Sequence, residues 1–182
     1  MEYCKRIRLK DGRECILRNG TEKDAASVLA VFKLTHEQTD WLLTYADENG
    51  FTEESEADFL REKTESENEI EIIADVGGVI AGMAGIELYG KQEKIRHRAE
   101  FGISVDRACW GLGIGRALTE ACIECAKKAG YRQLELFVVA DNSRAMQLYE
   151  SVGFREYARN PRGHRLRSGE WQELVSMRLE LD

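Results

Sequence analysis

Near the start of the chain, hydrophobic positions alternate with polar ones in short runs. Arg6 to Leu9 reads this way, Glu14 to Arg18 is a second short run with Cys15, Ile16 and Leu17 at its centre, and Asp11-Gly12 between them is a tight-turn signal. The opening residues therefore predict a β-hairpin. The period then changes. Thr21-Glu22-Lys23-Asp24 has the form of a capping box, and Ala25, Val28, Leu29 and Phe32 follow at helical spacing. A second helix is expected from about Thr52, where Glu53 and Glu54 put carboxylates in the first turn and complement the helix dipole.

Short apolar runs return at Ile70 to Val76, Gly77-Gly78 turns the chain, and Val79 to Tyr89 completes a second hairpin. Arg98 to Val105 reads as another strand. Phe101, Ile103 and Val105 share one of its faces, and Glu100, Gly102 and Ser104 share the other. From about Gly113 to Lys128 the period is helical, with Ile114, Ala117, Leu118, Ala121, Cys122 and Cys125 as the apolar stripe and Gly130 as the stop. Leu134 to Val139 predicts a buried strand. Asp141 or Asn142 caps a helix whose stripe is Ala145, Leu148, Tyr149 and Val152, and Gly153 ends it. Phe154 to Ala158 and Glu173 to Leu181 are expected to close the chain as two strands around a loop at Pro161-Arg162-Gly163. Strands grouped early, helices set between later strands and a terminal hairpin predict an α+β sandwich around a mixed sheet, in a single domain over residues 1–182.

Composition narrows the class. Apolar residues are 43% and charged residues 32%, a soluble, globular balance. No apolar run is long enough for a membrane helix, and no apolar stretch follows the charges at the N-terminus as in a signal peptide. Five cysteines without framework spacing suit reduced thiols and a cytoplasmic setting. Cys122 and Cys125 form a Cys-x-x-Cys, but they lie on the apolar side of a helix with no second ligand pair. They are read as core cysteines, and no metal site is expected. A net charge of −7 disfavours nucleic acid and favours small or cationic partners.

The chemistry concentrates at Ile103-Ser-Val-Asp-Arg-Ala-Cys-Trp-Gly-Leu-Gly-Ile-Gly-Arg-Ala-Leu118. A strand runs into Gly111, Gly113 and Gly115 and then into a helix. Glycines let the backbone approach a ligand closely, and a helix N-terminus offers unpaired amides and partial positive charge. This is a main-chain phosphate cradle. It fits neither the dinucleotide Gly-x-Gly-x-x-Gly, which needs glycine at Arg116, nor a P-loop, which needs Gly-Lys-Ser/Thr.

The segment resembles the GNAT family of N-acetyltransferases, whose signature Arg/Gln-x-x-Gly-x-Gly/Ala reads here Trp110-Gly111-Leu112-Gly113-Ile114-Gly115. Downstream the family has a strand, an Asn and a helix ending Leu-Tyr-x-x-x-Gly-Phe. This chain has Leu134 to Val139, Asn142 and Leu148-Tyr149-Glu150-Ser151-Val152-Gly153-Phe154. Trp110 departs from the usual Arg or Gln, offering one N–H and no charge. The resemblance implies a three-layer α/β/α sandwich around a mixed, largely antiparallel twisted sheet with a splayed central strand pair. It also implies acetyl-CoA as acyl donor.

Carried onto this chain, the resemblance gives the main chain of Ile103, Ser104 and Val105 the pantetheine arm, as in strand addition. The turn from Trp110 through Gly111, Leu112, Gly113, Ile114 and Gly115 to Arg116 takes the pyrophosphate, with Arg144 as a further cation. Asn142 bonds the arm, caps its helix, or does both. Glu100, on the polar face of its strand, is the candidate base for an ammonium acceptor, or else a surface or ion-paired glutamate. Tyr149 is the candidate acid for the leaving thiolate and also a core tyrosine, since a phenol packs by its ring and donates by its hydroxyl. His97 either assists the base or is solvated. Between Asp47 and Glu71 stand eleven acids and two bases, either a negative wall for a cationic amine or a solvated helix face. Trp41 and Tyr45 are possible acceptor contacts.

The expected function is direct transfer of acetyl from acetyl-CoA to a primary amine of a protein, polyamine or small molecule. A non-catalytic acyl-CoA-binding or regulatory module is the alternative, and an interaction domain on an abandoned scaffold is a third. The acceptor, the acyl-chain preference and the oligomeric state stay open, a homodimer being one arrangement.

Overall fold

The computed structural model describes residues 1–181. The chain runs β1 (Cys4–Arg8), β2 (Glu14–Asn19), α1 (Ala25–Glu37), α2 (Glu53–Glu65), β3 (Ile70–Val76), β4 (Val79–Leu88), β5 (Arg98–Val105), α3 (Ile114–Lys128), β6 (Gln133–Val139), α4 (Ser143–Ser151), β7 (Arg155–Arg165) and β8 (Trp171–Glu180). The strands form one sheet in the order β1-β2-β3-β4-β5-β6-β8-β7. Every pairing is antiparallel except β5 with β6, so the sheet is mixed at its centre.

Local signals set most of these boundaries. Gly12 turns the first hairpin at φ +89°, in the left-handed region where a Cβ is costly. Thr21 N–H donates to Asp24 Oδ2 at 2.8 Å, opening a short turn that feeds α1. Thr52 Oγ1 accepts from the amide of Ser55 at 3.2 Å and caps α2. Gly130 and Gly153 stop α3 and α4 at φ +82° and +106°.

The two sheet faces bury different helices. Ile70, Ile72, Ala84, Ile86, Phe101, Leu134 and Leu136 form the face that packs on α3, where Leu118, Ala121, Cys122 and Cys125 are buried. Ile73 and Met83, on the opposite face, pack with Val28, Val31 and Leu60 of α1 and α2. Helices on both faces make the three-layer sandwich, and Cys122 and Cys125 are indeed core residues with free thiols.

Three details differ from the sequence reading. The closing hairpin does not turn at Pro161-Arg162-Gly163. Those residues lie inside β7, and the turn falls at Leu166 to Glu170, with Gly169 at φ +94°. Proline is tolerated there because β7 is the edge strand and its register breaks between Asn160 and His164. In α1 the buried positions are Ala25, Val28, Val31 and Thr35, while Leu29 and Phe32 are only half-buried. In β6, Phe137 is 48% exposed rather than buried. Phe32 and Phe137 share a cause, since both line the same cavity.

Candidate active site

The cavity opens where the sheet splits. β5 and β6 pair through Arg98–Gln133, Ala99–Leu134 and Glu100–Glu135, and then part. Beyond that point β5 keeps β4 as partner through Val105, while β6 keeps β8 through Val139. From Phe101 onward the backbone edge of β5 that faces β6 has no strand partner. The wedge-shaped gap joins both faces of the sheet in one cavity of about 900 Å³, a size suited to a small-molecule ligand.

Below the gap the two strands are pinned. Glu135 is 2% exposed and accepts from Arg98 Nε at 2.5 Å, Arg98 Nη2 at 2.8 Å and the Tyr157 hydroxyl at 2.9 Å. Burial alone would raise this carboxyl, but the Arg98 and Tyr157 bonds outweigh it and hold it below its ordinary range.

At one end of the cavity lies the glycine turn. Gly111 and Gly113 have φ +86° and +102°, so a side chain at either is strained. Gly113 is the N-cap of α3, which leaves the first-turn amides of Ile114, Gly115 and Arg116 without intrahelical acceptors. Gly115 has ordinary helical backbone, and a Cβ there would meet Leu148 only at 3.5 Å. The Leu112 carbonyl accepts from Lys10 N–H at 3.1 Å, which anchors the turn to the first hairpin. Arg144 lies against Gly111, with a guanidinium nitrogen 3.2 Å from where a Cβ would stand. Arg116 borders the cavity and also donates to Ser151 Oγ at 2.6 Å.

Trp110 has a structural task. Its indole N–H donates to the Val105 carbonyl at 2.8 Å, and its ring stacks on Trp41 at 6.1 Å. The single donor is therefore already engaged, and the residue lines the cavity through its ring. Trp110→Phe keeps an aromatic ring at the site but deletes the donor together with the indole's second ring. The expected loss is about 1 kcal/mol for the hydrogen bond plus the packing of the missing ring atoms, read as a lower urea midpoint. An unchanged midpoint would show that the bond contributes nothing.

Toward the other end stand the candidate acid and base. Glu100 is solvent-accessible at the cavity and lies opposite Glu87 on β4 and Glu135 on β6. Burial of part of its side chain, then the charges of Glu87 and Glu135, raise its pKa. Tyr149 is 7% exposed and packs edge-on to Phe101 at 6.1 Å and against Phe154 at 5.9 Å. Burial raises its pKa, so the phenol stays neutral and able to donate. Ile103, Ser104 and Val105 form the unpaired edge between them. Ser104 Oγ is buried without a hydrogen-bond partner. Asn142 Oδ1 caps α4 by accepting from Ala145 N–H at 3.2 Å, while the residue still borders the cavity.

The structure does not bring every proposed residue here. His97 is exposed and does not line the cavity. Tyr45 packs under the Arg167 guanidinium at 4.0 Å and accepts from Arg167 N–H at 2.9 Å, away from the cavity. Of the eleven acids from Asp47 to Glu71, only Glu71 lines the cavity, so that run is no wall along it. Conversely, His36, Glu71, Glu87 and His164 line the cavity and were not singled out from the sequence. Period-two alternation puts Glu71 on the face opposite Ile70 and Ile72, which was the available signal. Nothing local marks His36 or His164. Among the described residues, no group of three His, Cys, Asp or Glu side chains is placed to hold a metal ion.

Residues 35–154 match the model of the acetyltransferase (GNAT) family. YwnH of Bacillus subtilis (strain 168), a protein named for phosphinothricin acetylation, is 27% identical over 145 residues, 80% of this chain and 86% of its own. The L-methionine sulfoximine/L-methionine sulfone acetyltransferase of Salmonella typhimurium is 27% identical over 111 residues, 61% of this chain and 64% of its own. Among solved structures, an acetyltransferase of the GNAT family from Streptococcus pneumoniae superposes with a TM-score of 0.87 at 29% identity, covering 91% of this chain and 99% of that one.

Proposed function

The chain belongs to the GNAT family of acetyltransferases, and on that premise we propose that it moves an acetyl group from acetyl-CoA directly to a primary amine in a ternary complex. It is an acyl-CoA-dependent N-acetyltransferase, and acetyl-CoA is its donor. The acceptor class, the mechanism and the residue roles are our reading. No helix is long and apolar enough to cross a membrane.

One observation carries this reading. The gap between β5 and β6 has Glu100 on one sheet face and Tyr149 on the other, with the bare edge of β5 between them. The pantetheine arm pairs along Ile103 to Val105 like an added strand. The amides of the glycine turn take the pyrophosphate, with Arg116 and Arg144 beside them. An N–H of the same edge stabilises the oxyanion on the thioester carbonyl. The amine attacks that carbon, Glu100 receives a proton from nitrogen, the C–S bond breaks and Tyr149 protonates the leaving thiolate. A thiolate whose acid has a pKa of about 8.5 is a weaker base than a phenolate, but a neutral phenol close to the sulfur is a feasible donor. A relative named for L-methionine sulfoximine acetylation supports an α-amine among the acceptors.

A panel of peptide N-termini, lysine, polyamines and amino acid amines, with thiol release as readout, tests the activity. We expect turnover with at least one primary amine, and none with matched alcohols. Glu100→Gln should reduce kcat/KM at least about tenfold. The reduction should be largest above the raised pKa of Glu100, where the wild type holds a carboxylate ready for the proton of the adduct. Below the Glu100 pKa the wild type loses its own base and the ratio narrows. A ratio that is flat across pH would remove Glu100 as the base.

A further inference from the structure

The mechanism above leaves one cavity carboxyl unused. Glu71 on β3 is in register with Gly85 on β4, and Gly85 with Gly102 on β5. Cross-strand partners share a face, so these three residues form a row on the side of the sheet that carries Glu100. A Cβ at position 85 would overlap Glu71 Oε2, so the carboxyl lies across Gly85. Above Gly102 there is nothing within 4 Å of the Cβ position. The two glycines thus clear a lane from the Glu71 carboxyl to the strand that borders the gap. Neighbouring strands stand about 4.8 Å apart, so that carboxyl is roughly one strand spacing from Gly102. Glu100 is two residues along β5 on the same face, about 7 Å from Gly102.

No described protein group donates a side-chain hydrogen bond to Glu71. The nearby cation is already engaged: Lys63 Nζ lies 2.9 Å from both Glu69 and Glu87. The charged or titratable groups around Glu71 are Glu56 and Lys63 from α2, Glu87 from β4, Glu100 from β5, His36 from α1 and the buried thiol of Cys122 from α3.

An ammonium acceptor must lose two protons to become an amide. One leaves before attack, to free the lone pair. The other leaves the tetrahedral adduct, whose nitrogen is again cationic. Resting on the acetyl transfer proposed above, we propose that Glu71 takes the first of these protons and Glu100 the second. In the first step the ammonium N–H bond breaks, its electron pair stays on nitrogen and the proton passes to the Glu71 carboxylate. The neutral amine then attacks the thioester carbon. The adduct gives its second proton to Glu100, the C–S bond breaks and the thiolate takes a proton from Tyr149. When products leave, Glu71 and Glu100 give up their two protons, one of which restores the Tyr149 phenol through water, so one proton is released per turnover.

The environment suits Glu71 to the first step. Burial pushes its carboxyl up to about 8, against the pull of Lys63 and with the push of Glu87 and Glu56. An ordinary carboxylate near 4.3 would take a proton from an α-amine near 8 with an equilibrium constant on the order of 10⁻⁴. A carboxyl near the amine's own value does so almost evenly. An incoming ammonium displaces the proton that Glu71 holds in the free protein, so this step strengthens as pH rises toward 8.

The test compares two nucleophiles at pH 8: n-butylamine, which is cationic there, and hydroxylamine, which is neutral. We expect Glu71→Gln to lower kcat/KM at least tenfold for n-butylamine and less than twofold for hydroxylamine, with the acetyl-CoA Kd unchanged. Glu100→Gln should lower both. The n-butylamine defect should shrink at pH 6, where wild-type Glu71 is itself protonated. Gly85→Ala keeps the carboxyl but displaces it, and should give the same selective loss. It decides the matter if Glu71→Gln does not fold. Equal losses with both nucleophiles, or none with either, overturn the assignment while the transferase reading stands. Wild-type protein that releases no thiol with any amine overturns that reading, and the assignment with it.

Discussion

With Tyr149 as the proposed acid, Tyr149→Phe is expected to lower kcat by about 10²-fold or more while the Kd for acetyl-CoA stays within about threefold. The size follows from losing a positioned general acid, which contributes 10² to 10⁴. The selectivity follows from the packing. The ring is held edge-on by Phe101 and against Phe154, and both contacts survive deletion of one oxygen. No described protein group bonds the hydroxyl, so its loss orphans no partner. Thermal stability should therefore change little. Because burial raises the phenol's pKa, Tyr149 contributes no loss of rate as pH rises through the neutral range. Stopped-flow thiol release gives kcat and calorimetry gives Kd. Unchanged turnover would remove Tyr149 from the mechanism, and a matching loss of donor affinity would recast it as a binding residue.

Glu135→Ala destabilises the fold by about 3 kcal/mol or more. Glu135 is nearly fully buried and accepts three hydrogen bonds, two of them from Arg98. Removing it leaves that guanidinium without its carboxylate partner. Arg98 also stacks on Tyr89 at 3.8 Å, and its side chain is 24% exposed, so water offsets part of the cost. The pair lies at the last rungs before β5 and β6 part, so the variant should also lower donor affinity. Urea unfolding measures the first effect as a lower midpoint with unchanged slope. Arg98→Met combined with Glu135→Leu should recover most of the loss, since no buried charge is left unpaired. If the double variant is as unstable as the single one, packing rather than the ion pair is responsible. The pH dependence has a definite sign. The folded carboxyl lies below its unfolded value of about 4.3, so its stabilisation is present above that pH. It fades as pH falls toward the folded value.

Much of the fold is written in period and punctuation. The strand run at Ile70 to Val76, the stripe from Ile114 to Cys125 and the caps at Thr21, Thr52 and Asn142 are local rules that the structure obeys. They are legible because each depends on neighbours within a few residues. Pro161 misled the reading for the same reason. As a local signal it marks a turn, yet an edge strand with a register break accommodates it, and edge position is not a local property.

The candidate site divides along the same line. The glycine turn and the helix from Asn142 to Phe154 are short motifs, and they point to the donor end from sequence alone. The acceptor end is assembled from α1, β3, β4, β5 and β7, whose contributions are single side chains with no spacing between them to recognise. Glu71 shows this most clearly. In the sequence it is one of eleven acids in a charged run. Its distinct environment comes from registers that set it beside Gly85 and Gly102, residues 14 and 31 positions further on.

The sequence by itself determined most of the strands and helices, the glycine turn ahead of α3 and the resemblance that supplied the donor, because these rest on contiguous residues. Only the tertiary structure decided where the sheet parts, that Trp110 spends its donor on Val105, and which carboxyls share the cavity. Those outcomes depend on strand order, register and burial, which arise only when distant segments pack.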